Sequence, residues 1–151
     1  MSDAINQFFI DYGVIGMFFC AYIAGSFIPF SSEAVMIALL LTTGINPWAT
    51  LISASVGNVL GSMTNYYIGS CGNLEKVAKL FRIRPVRLRN VKEWTAKYGG
   101  WMGFLTFLPI IGTLISLSLG LLRCNVQTVF LTTTIGKFIR YFLIVLALGV
   151  L

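Results

Sequence analysis

The chain contains no histidine. That removes the commonest metal ligand and the one side chain whose ordinary pKa puts its proton in play near neutrality. Charge is scarce: 11% of the 151 residues are charged, where a soluble domain carries about 25%. A soluble globular fold is nearly excluded on that ground. The three cysteines, Cys20, Cys71 and Cys124, are an odd, widely spaced set without a C-x-x-C. They argue against a disulfide framework or a zinc site and fit three small packing thiols. No nucleophile–base pair and no metal cluster is visible, so neither an enzyme nor a cofactor is expected. The first twelve residues hold Asp3 and Asp11 and no lysine or arginine. This is the reverse of the basic start of a cleavable signal peptide, and none is expected.

Apolar residues are abundant, at 57% with a mean hydropathy of +0.85. Tyr12–Ser32 is free of charge for 21 residues, Ala34–Leu74 for 41 and Tyr98–Leu122 for 25. Each run exceeds the roughly 18 residues of a membrane-spanning helix. The expectation is a polytopic membrane protein forming a single membrane domain over residues 1–151.

Most of the charge sits in one place. Between Glu75 and Lys97 lie Lys76, Lys79, Arg82, Arg84, Arg87, Arg89, Lys92 and Lys97, opposed only by Glu75 and Glu93. This segment holds the whole net charge of +6. In a membrane protein the positive-inside rule explains such a patch better than nucleic-acid binding, and it places 75–97 in the cytoplasm. Pro85 starts a helix there on which Leu88, Val91, Trp94 or Thr95, and Tyr98 share a face. The pattern predicts a basic amphipathic helix on the membrane surface, favouring anionic headgroups.

Six apolar segments follow from the breaks: Gly13–Ile28, Glu33–Thr43, Pro47–Ile68, Gly99–Leu108, Gly112–Leu122 and Val126–Leu151. Only the third and sixth are long enough to span comfortably. The other four have the length of re-entrant or buried segments. Pro29 and Pro109 sit between the paired short segments, and Asn46 is placed to cap a helix whose first residue is Pro47.

The two halves match. Phe27-Ile28-Pro29 is followed by Ser55-Val56-Gly57-Asn58, and Phe107-Leu108-Pro109 by Thr134-Ile135-Gly136-Lys137. Each half opens on Tyr-Gly, at Tyr12-Gly13 and Tyr98-Gly99. Repeat 1 is read over about residues 12–69, the basic cytoplasmic segment over 70–97 and repeat 2 over 98–151. If each half is a re-entrant hairpin plus one spanning helix, the second is inverted relative to the first. Inverted repeats with short, Pro/Gly-interrupted segments point to a transporter site at mid-membrane.

Three ionisable residues lie inside the apolar segments: Glu33, Lys137 and Arg140. Ser31 or Ser32 can cap the helix that Glu33 begins, where the helix dipole favours a carboxylate. Lys137 and Arg140 are three apart and share a face. Lys137 lies about 16 Å in from Val126 at 1.5 Å per residue, near the bilayer centre. Intramembrane charges are costly and mark ion or substrate sites. One reading is that Glu33 pairs with Lys137 or Arg140 simply to hold the halves together. The other is a charged site, with one cation left over to suit a phosphate. Asn58 and Asn65 share a helix face, and Asn58 matches Lys137 in the repeat register. Thr113 matches Glu33. Gly57-x-x-x-Gly61 permits close helix approach.

Pro29-Phe-Ser-Ser-Glu33, Gly57-Asn-x-x-Gly61-x-x-Thr64-Asn65 and Gly136-Lys137-x-x-Arg140-Tyr141, in this order and spacing, resemble the YqaA family. That family is a small branch of the DedA/VTT (SNARE-associated) membrane proteins. The resemblance runs from about Tyr12 to Tyr141. It implies two re-entrant hairpins facing each other across an inner (plasma) membrane of bacterial type, and lipid handling, including polyprenyl-phosphate carriers. It assigns Glu33 as the hairpin acid and Lys137 and Arg140 as the intramembrane bases. The commoner DedA pattern has arginines where this chain has Thr106 and Gly112. YqaA-like chains also tend to carry Asp at the position of Thr113. The arginine role then falls to Lys137 and Arg140.

The expected protein is therefore an all-α integral membrane transporter or scramblase built from two inverted repeats. Its substrate is an anionic lipid or lipid phosphate headgroup, moved between leaflets, with a proton or sodium ion as the candidate coupling ion. The expected transport residues are Glu33, Lys137, Arg140, Asn58, Asn65 and Thr113. The alternatives are a small-ion or cation/proton transporter centred on Glu33, and a structural or assembly protein whose charges only pair. An oligomer is compatible with the sequence, which leaves its order open.

Overall fold

Side chains with an accepting oxygen set the starts of four helices. Asn46 accepts from the Trp48 and Ala49 amides at 2.9 and 3.3 Å. It precedes Pro47, whose missing N–H is no loss in a first turn. Asn125 accepts from Gln127 and Thr128 in the same way, Asn73 from Lys76 and Ser31 from Ala34. The computed structural model describes the backbone of residues 2–26, 31–108 and 111–151, with side chains from residue 11 onward. Within them the order is α1 (Ser2–Gly25), α2 (Ser32–Thr42), α3 (Pro47–Cys71), α4 (Leu74–Leu80), α5 (Pro85–Tyr98), a 3₁₀ segment (Gly99–Phe107), α6 (Ile111–Leu121) and α7 (Val126–Ala147). No strand occurs among the described residues, and the all-α class expected from the sequence is what forms.

Three local differences from the sequence reading have plain causes. First, α1 starts at Ser2 rather than near Gly13, because no proline or glycine interrupts residues 2–12. Second, the segment after Tyr98 winds as a 3₁₀ helix. Gly99, Gly100 and Gly103 weaken an α-helix by about 1 kcal/mol each relative to alanine. The Thr106 hydroxyl bonds back three residues to the Gly103 carbonyl at 2.6 Å, in the tighter spacing. Third, α7 is the one described helix both long and apolar enough to cross a membrane. The 25 residues of α3 suffice in length. They carry buried Thr50, Ser55, Asn58, Ser62 and Asn65, which face protein rather than lipid. Pro29 and Pro109 lie outside the described residues. The helices that follow them, α2 and α6, have 11 residues each. At 1.5 Å per residue each is about 16 Å long, well short of a hydrocarbon core of about 30 Å.

Glycines bring the helices into backbone contact around α3, which packs on α1, α6 and α7. A Cβ at Gly57 would run into the Phe18 carbonyl of α1, and one at Gly61 into the Tyr22 carbonyl. On the other side, a Cβ at Gly136 would meet the Phe104 carbonyl of the 3₁₀ segment. Asn58 and Lys137, each next to one of these glycines, are thus fixed where α3 and α7 hold their neighbours closest. Asn65, buried, donates to the Gly25 and Ser26 carbonyls at 3.0 and 2.6 Å and closes the end of α1.

The basic segment does not lie free. Leu88 of α5 and Val77 and Ala78 of α4 pack on Leu114 and Leu117 of α6. The amphipathic face read from the sequence is therefore covered in part by protein, with Trp94 and Tyr98 left exposed. Elsewhere the outer surface is apolar. Ile52, Val56 and Leu60 on α3 and Leu131, Ile135, Ile139 and Leu143 on α7 recur every fourth residue and are exposed. Apolar stripes outside and hydroxyls and amides inside are the arrangement that a lipid-facing protein requires.

Candidate functional site

A cavity of about 1210 Å³ opens between these elements. Of the residues expected from the sequence, Glu33, Asn58, Thr113, Lys137 and Arg140 line it. Asn65 is not among its lining residues and serves the end of α1 instead.

Glu33 stands in the first turn of α2, capped by Ser31. The Ser31 hydroxyl also donates to its Oε2 at 3.2 Å. Its Oε1 forms an ion pair with Nη2 of Arg140, and Nη1 of Arg140 donates to the Phe107 carbonyl. One guanidinium thus ties the start of α2 to the end of the 3₁₀ segment. Both side chains keep about a fifth of their surface exposed, 19% for Glu33 and 23% for Arg140, so the pair borders the cavity. Of the two cations on α7, it is Arg140 that takes the carboxylate.

Lys137, 4% exposed, has a different partner. Its Nζ donates to Oδ1 of Asn58. Nδ2 of Asn58 donates to the Tyr141 hydroxyl at 2.8 Å. The Tyr141 and Ser32 hydroxyls are 2.6 Å apart. With Asn58 donating, the tyrosine proton is available to Ser32. A relay of hydrogen bonds then runs from α7 through α3 and back through α7 to α2. Tyr141 and Ser32 were not read as site residues from the sequence, although Tyr141 lies four after Lys137 on the same face. Among the described residues Lys137 has no carboxylate partner. Thr113 donates to the Ser26 carbonyl at 3.4 Å.

Thr106 and Gly112 also line the cavity. A Cβ at Gly112 would meet the Thr106 carbonyl, so a long side chain does not fit there. Arg140 reaches the neighbouring Phe107 carbonyl from α7. The chemistry on offer is electrostatic: two cations and one carboxylate at the inner end, Arg82, Arg84 and Arg87 at the α4–α5 elbow, and hydroxyls and amides that can replace water around a polar group. No three His, Cys, Asp or Glu side chains stand together among the described residues.

A helical protein with lipid-compatible outer faces around a charged, polar cavity is an integral membrane protein of transporter-like build. The chain belongs to the VTT domain family, whose model matches residues 28–149. It is similar to the inner membrane protein YqaA of Escherichia coli, with 28% identity over 141 residues covering 93% of this chain and 89% of that protein. It is similar to an alkaline phosphatase-like protein of Lactococcus lactis, with 27% identity over 92% of this chain and 71% of that one. It is also similar to undecaprenyl phosphate transporter A of Staphylococcus aureus, with 23% identity over 97% of this chain and 77% of that one. No solved structure matches it.

Proposed function

We propose that this chain moves a phosphate-bearing anionic lipid between the leaflets of a bacterial-type inner membrane. The observation that carries the reading is the charge of the cavity. Lys137 and Arg140 face a single carboxylate, Glu33, which Arg140 neutralises. The cation left over, Lys137, is held by a neutral amide. A phosphate group is the ligand that completes such a set, and the name of the Staphylococcus aureus relative, an undecaprenyl phosphate transporter, points to the same class.

In this reading the two halves are inverted repeats, each a re-entrant hairpin and a spanning helix, with residues 75–97 in the cytoplasm. The equal, short lengths of α2 and α6 favour hairpins. So does the matched spacing from the Asn46 and Asn125 caps to Gly57 and Gly136, eleven residues in each half. The phosphate enters the cavity and competes with Glu33 for Arg140 while Lys137 holds it. Glu33, once released, is the group able to take a coupling proton or ion. No covalent step is involved. A cation site on Glu33 alone is disfavoured because Arg140 already occupies the carboxylate.

Reconstitution of the full chain into liposomes tests the reading. Exchange of a labelled polyprenyl phosphate or phosphatidic acid should exceed that of protein-free vesicles and fall at least tenfold in Lys137→Met. Exchange no faster than in empty vesicles for every lipid tried would end the transport reading and leave charges that only pair.

A further inference from the structure

The cavity does not end at the buried charges. It continues to the elbow between α4 and α5, where Arg82, Arg84, Arg87 and Asn90 also line it. The remaining basic residues of the segment, Lys76, Lys79, Arg89, Lys92 and Lys97, do not. Positive-inside topology requires bases in this segment but does not require three of them to share one cavity with Glu33, Lys137 and Arg140.

We propose that Arg82, Arg84 and Arg87 form a second phosphate-binding station at the mouth of the cavity, receiving the headgroup of a lipid phosphate before it reaches Lys137 and Arg140. The proposal rests on the reading above and adds where the substrate is first held. Three further observations support it. The elbow is anchored: Leu88 and Val77 pack on α6, the helix that also brings Thr113 and Leu114 to the cavity. The Ile83 amide donates to the Ala78 carbonyl at 2.9 Å, and Arg82 adopts φ +53° in the turn. The arginines are exposed, and none takes part in an ion pair among the described residues. Finally, the residue at the start of α5 is Arg84, whose side chain caps nothing. The first-turn N–H groups of this 14-residue helix have no side-chain acceptor, and its positive dipole end adds to the three guanidinium groups. Arginine suits the task because its planar fork binds phosphate oxygens two at a time.

The test compares two triple variants that remove the same charge from the same segment. One is Arg82→Gln/Arg84→Gln/Arg87→Gln, inside the cavity. The other is Lys79→Gln/Arg89→Gln/Lys92→Gln, outside it. Calorimetric titration of the purified full chain uses a water-soluble short-chain phosphatidic acid and, separately, inorganic phosphate. At roughly fivefold per arginine, the cavity triple should bind the short-chain lipid about a hundredfold more weakly, and the outside triple less than about threefold. If the cavity triple does not fold, Arg87→Gln against Arg89→Gln makes the same comparison, with about a fivefold loss expected in the first alone. Loss of inorganic phosphate binding in the same variant assigns the station to the phosphate group itself. Lipid binding without inorganic phosphate binding assigns it to the headgroup within its lipid. Equal weakening by both triples, or an unchanged affinity in the cavity triple, overturns the station. A wild-type chain that exchanges no lipid, yet loses short-chain lipid binding only in the cavity triple, ends the transport reading and keeps the station.

Discussion

Separating Glu33 from Arg140 should cost folding free energy that separating it from Lys137 does not. A fully buried pair loses roughly 3–5 kcal/mol when one partner is removed. Here about a fifth of each side chain is exposed, and Arg140 keeps its bond to the Phe107 carbonyl. Solvent and that second bond reduce the loss, and Glu33→Gln or Arg140→Gln alone should cost about 2 kcal/mol. The double variant Glu33→Gln/Arg140→Gln removes both charges and should cost only about 1 kcal/mol in all, a coupling of about 3 kcal/mol. Lys137 is held by Asn58 rather than by Glu33, so the cycle of Glu33→Gln with Lys137→Met should couple by no more than about 0.5 kcal/mol. Reversible unfolding in mixed micelles, followed by circular dichroism, measures both cycles. A Glu33–Lys137 coupling as large as the Glu33–Arg140 coupling would refute the assignment of partners. Lipid exchange measured on the same six proteins separates pairing from transport. Under the transport reading, Glu33→Gln/Arg140→Gln regains stability but not exchange, because the phosphate has lost a cation. Full exchange in Glu33→Gln/Lys137→Met would refute a phosphate role for Lys137.

Gly57→Ala should destabilise the chain by about 2 kcal/mol, as overpacked sites do, since its Cβ would meet the Phe18 carbonyl; an unfolding midpoint equal to that of the wild type would contradict the close α1–α3 contact. Tyr141→Phe removes the hydroxyl shared by Asn58 and Ser32. It should cost about 1–3 kcal/mol in the same unfolding assay, because the buried Asn58 and Ser32 groups lose a partner. Cys71, exposed at the end of α3, should react with an impermeant maleimide from the cytoplasmic side of inside-out vesicles; labelling only from the opposite face would invert the orientation.

How far the sequence could be read depended on whether a signal was local. The Asn46 cap and the Gly57/Gly61 contact were legible because each depends on a few neighbouring residues. The match of Asn58 to Lys137 was legible from counting alone, and the two side chains bond. The choice between Lys137 and Arg140 as partner of Glu33 was not. The two are three residues apart on one face, and the choice follows from where the start of α2 meets α7. Asn65 read as a site residue because it shares a face with Asn58. Seven residues along α3, that face has passed from the cavity to the end of α1, whose carbonyls need a donor. The basic segment was the least legible part. Periodicity identified the apolar face of α5 but not that α6 would cover Leu88. Its arginines were already accounted for by topology, so nothing in the sequence singled out the three that share the cavity.

The proposed register of the two halves would explain why the site is polar but not symmetric. Asn58 and Lys137 occupy matched positions, and they bond to each other. Two lysines there would repel, and two asparagines would leave the inner end of the cavity without its unpaired cation. One of each gives a donor facing an acceptor and keeps a positive charge inside. Glu33 and Thr113 repeat the logic at the other matched position. A second carboxylate at Thr113 would set two acids against Lys137 and Arg140 and cancel the positive charge at the inner end of the cavity. The hydroxyl adds no charge, and in place it donates to the Ser26 carbonyl at the end of α1. The asymmetry at both positions acts in the same direction, toward the positive cavity on which the proposed anion binding rests. A protein whose charges served only to join its halves would have no need of it, because balanced pairs would join them with less buried charge left over.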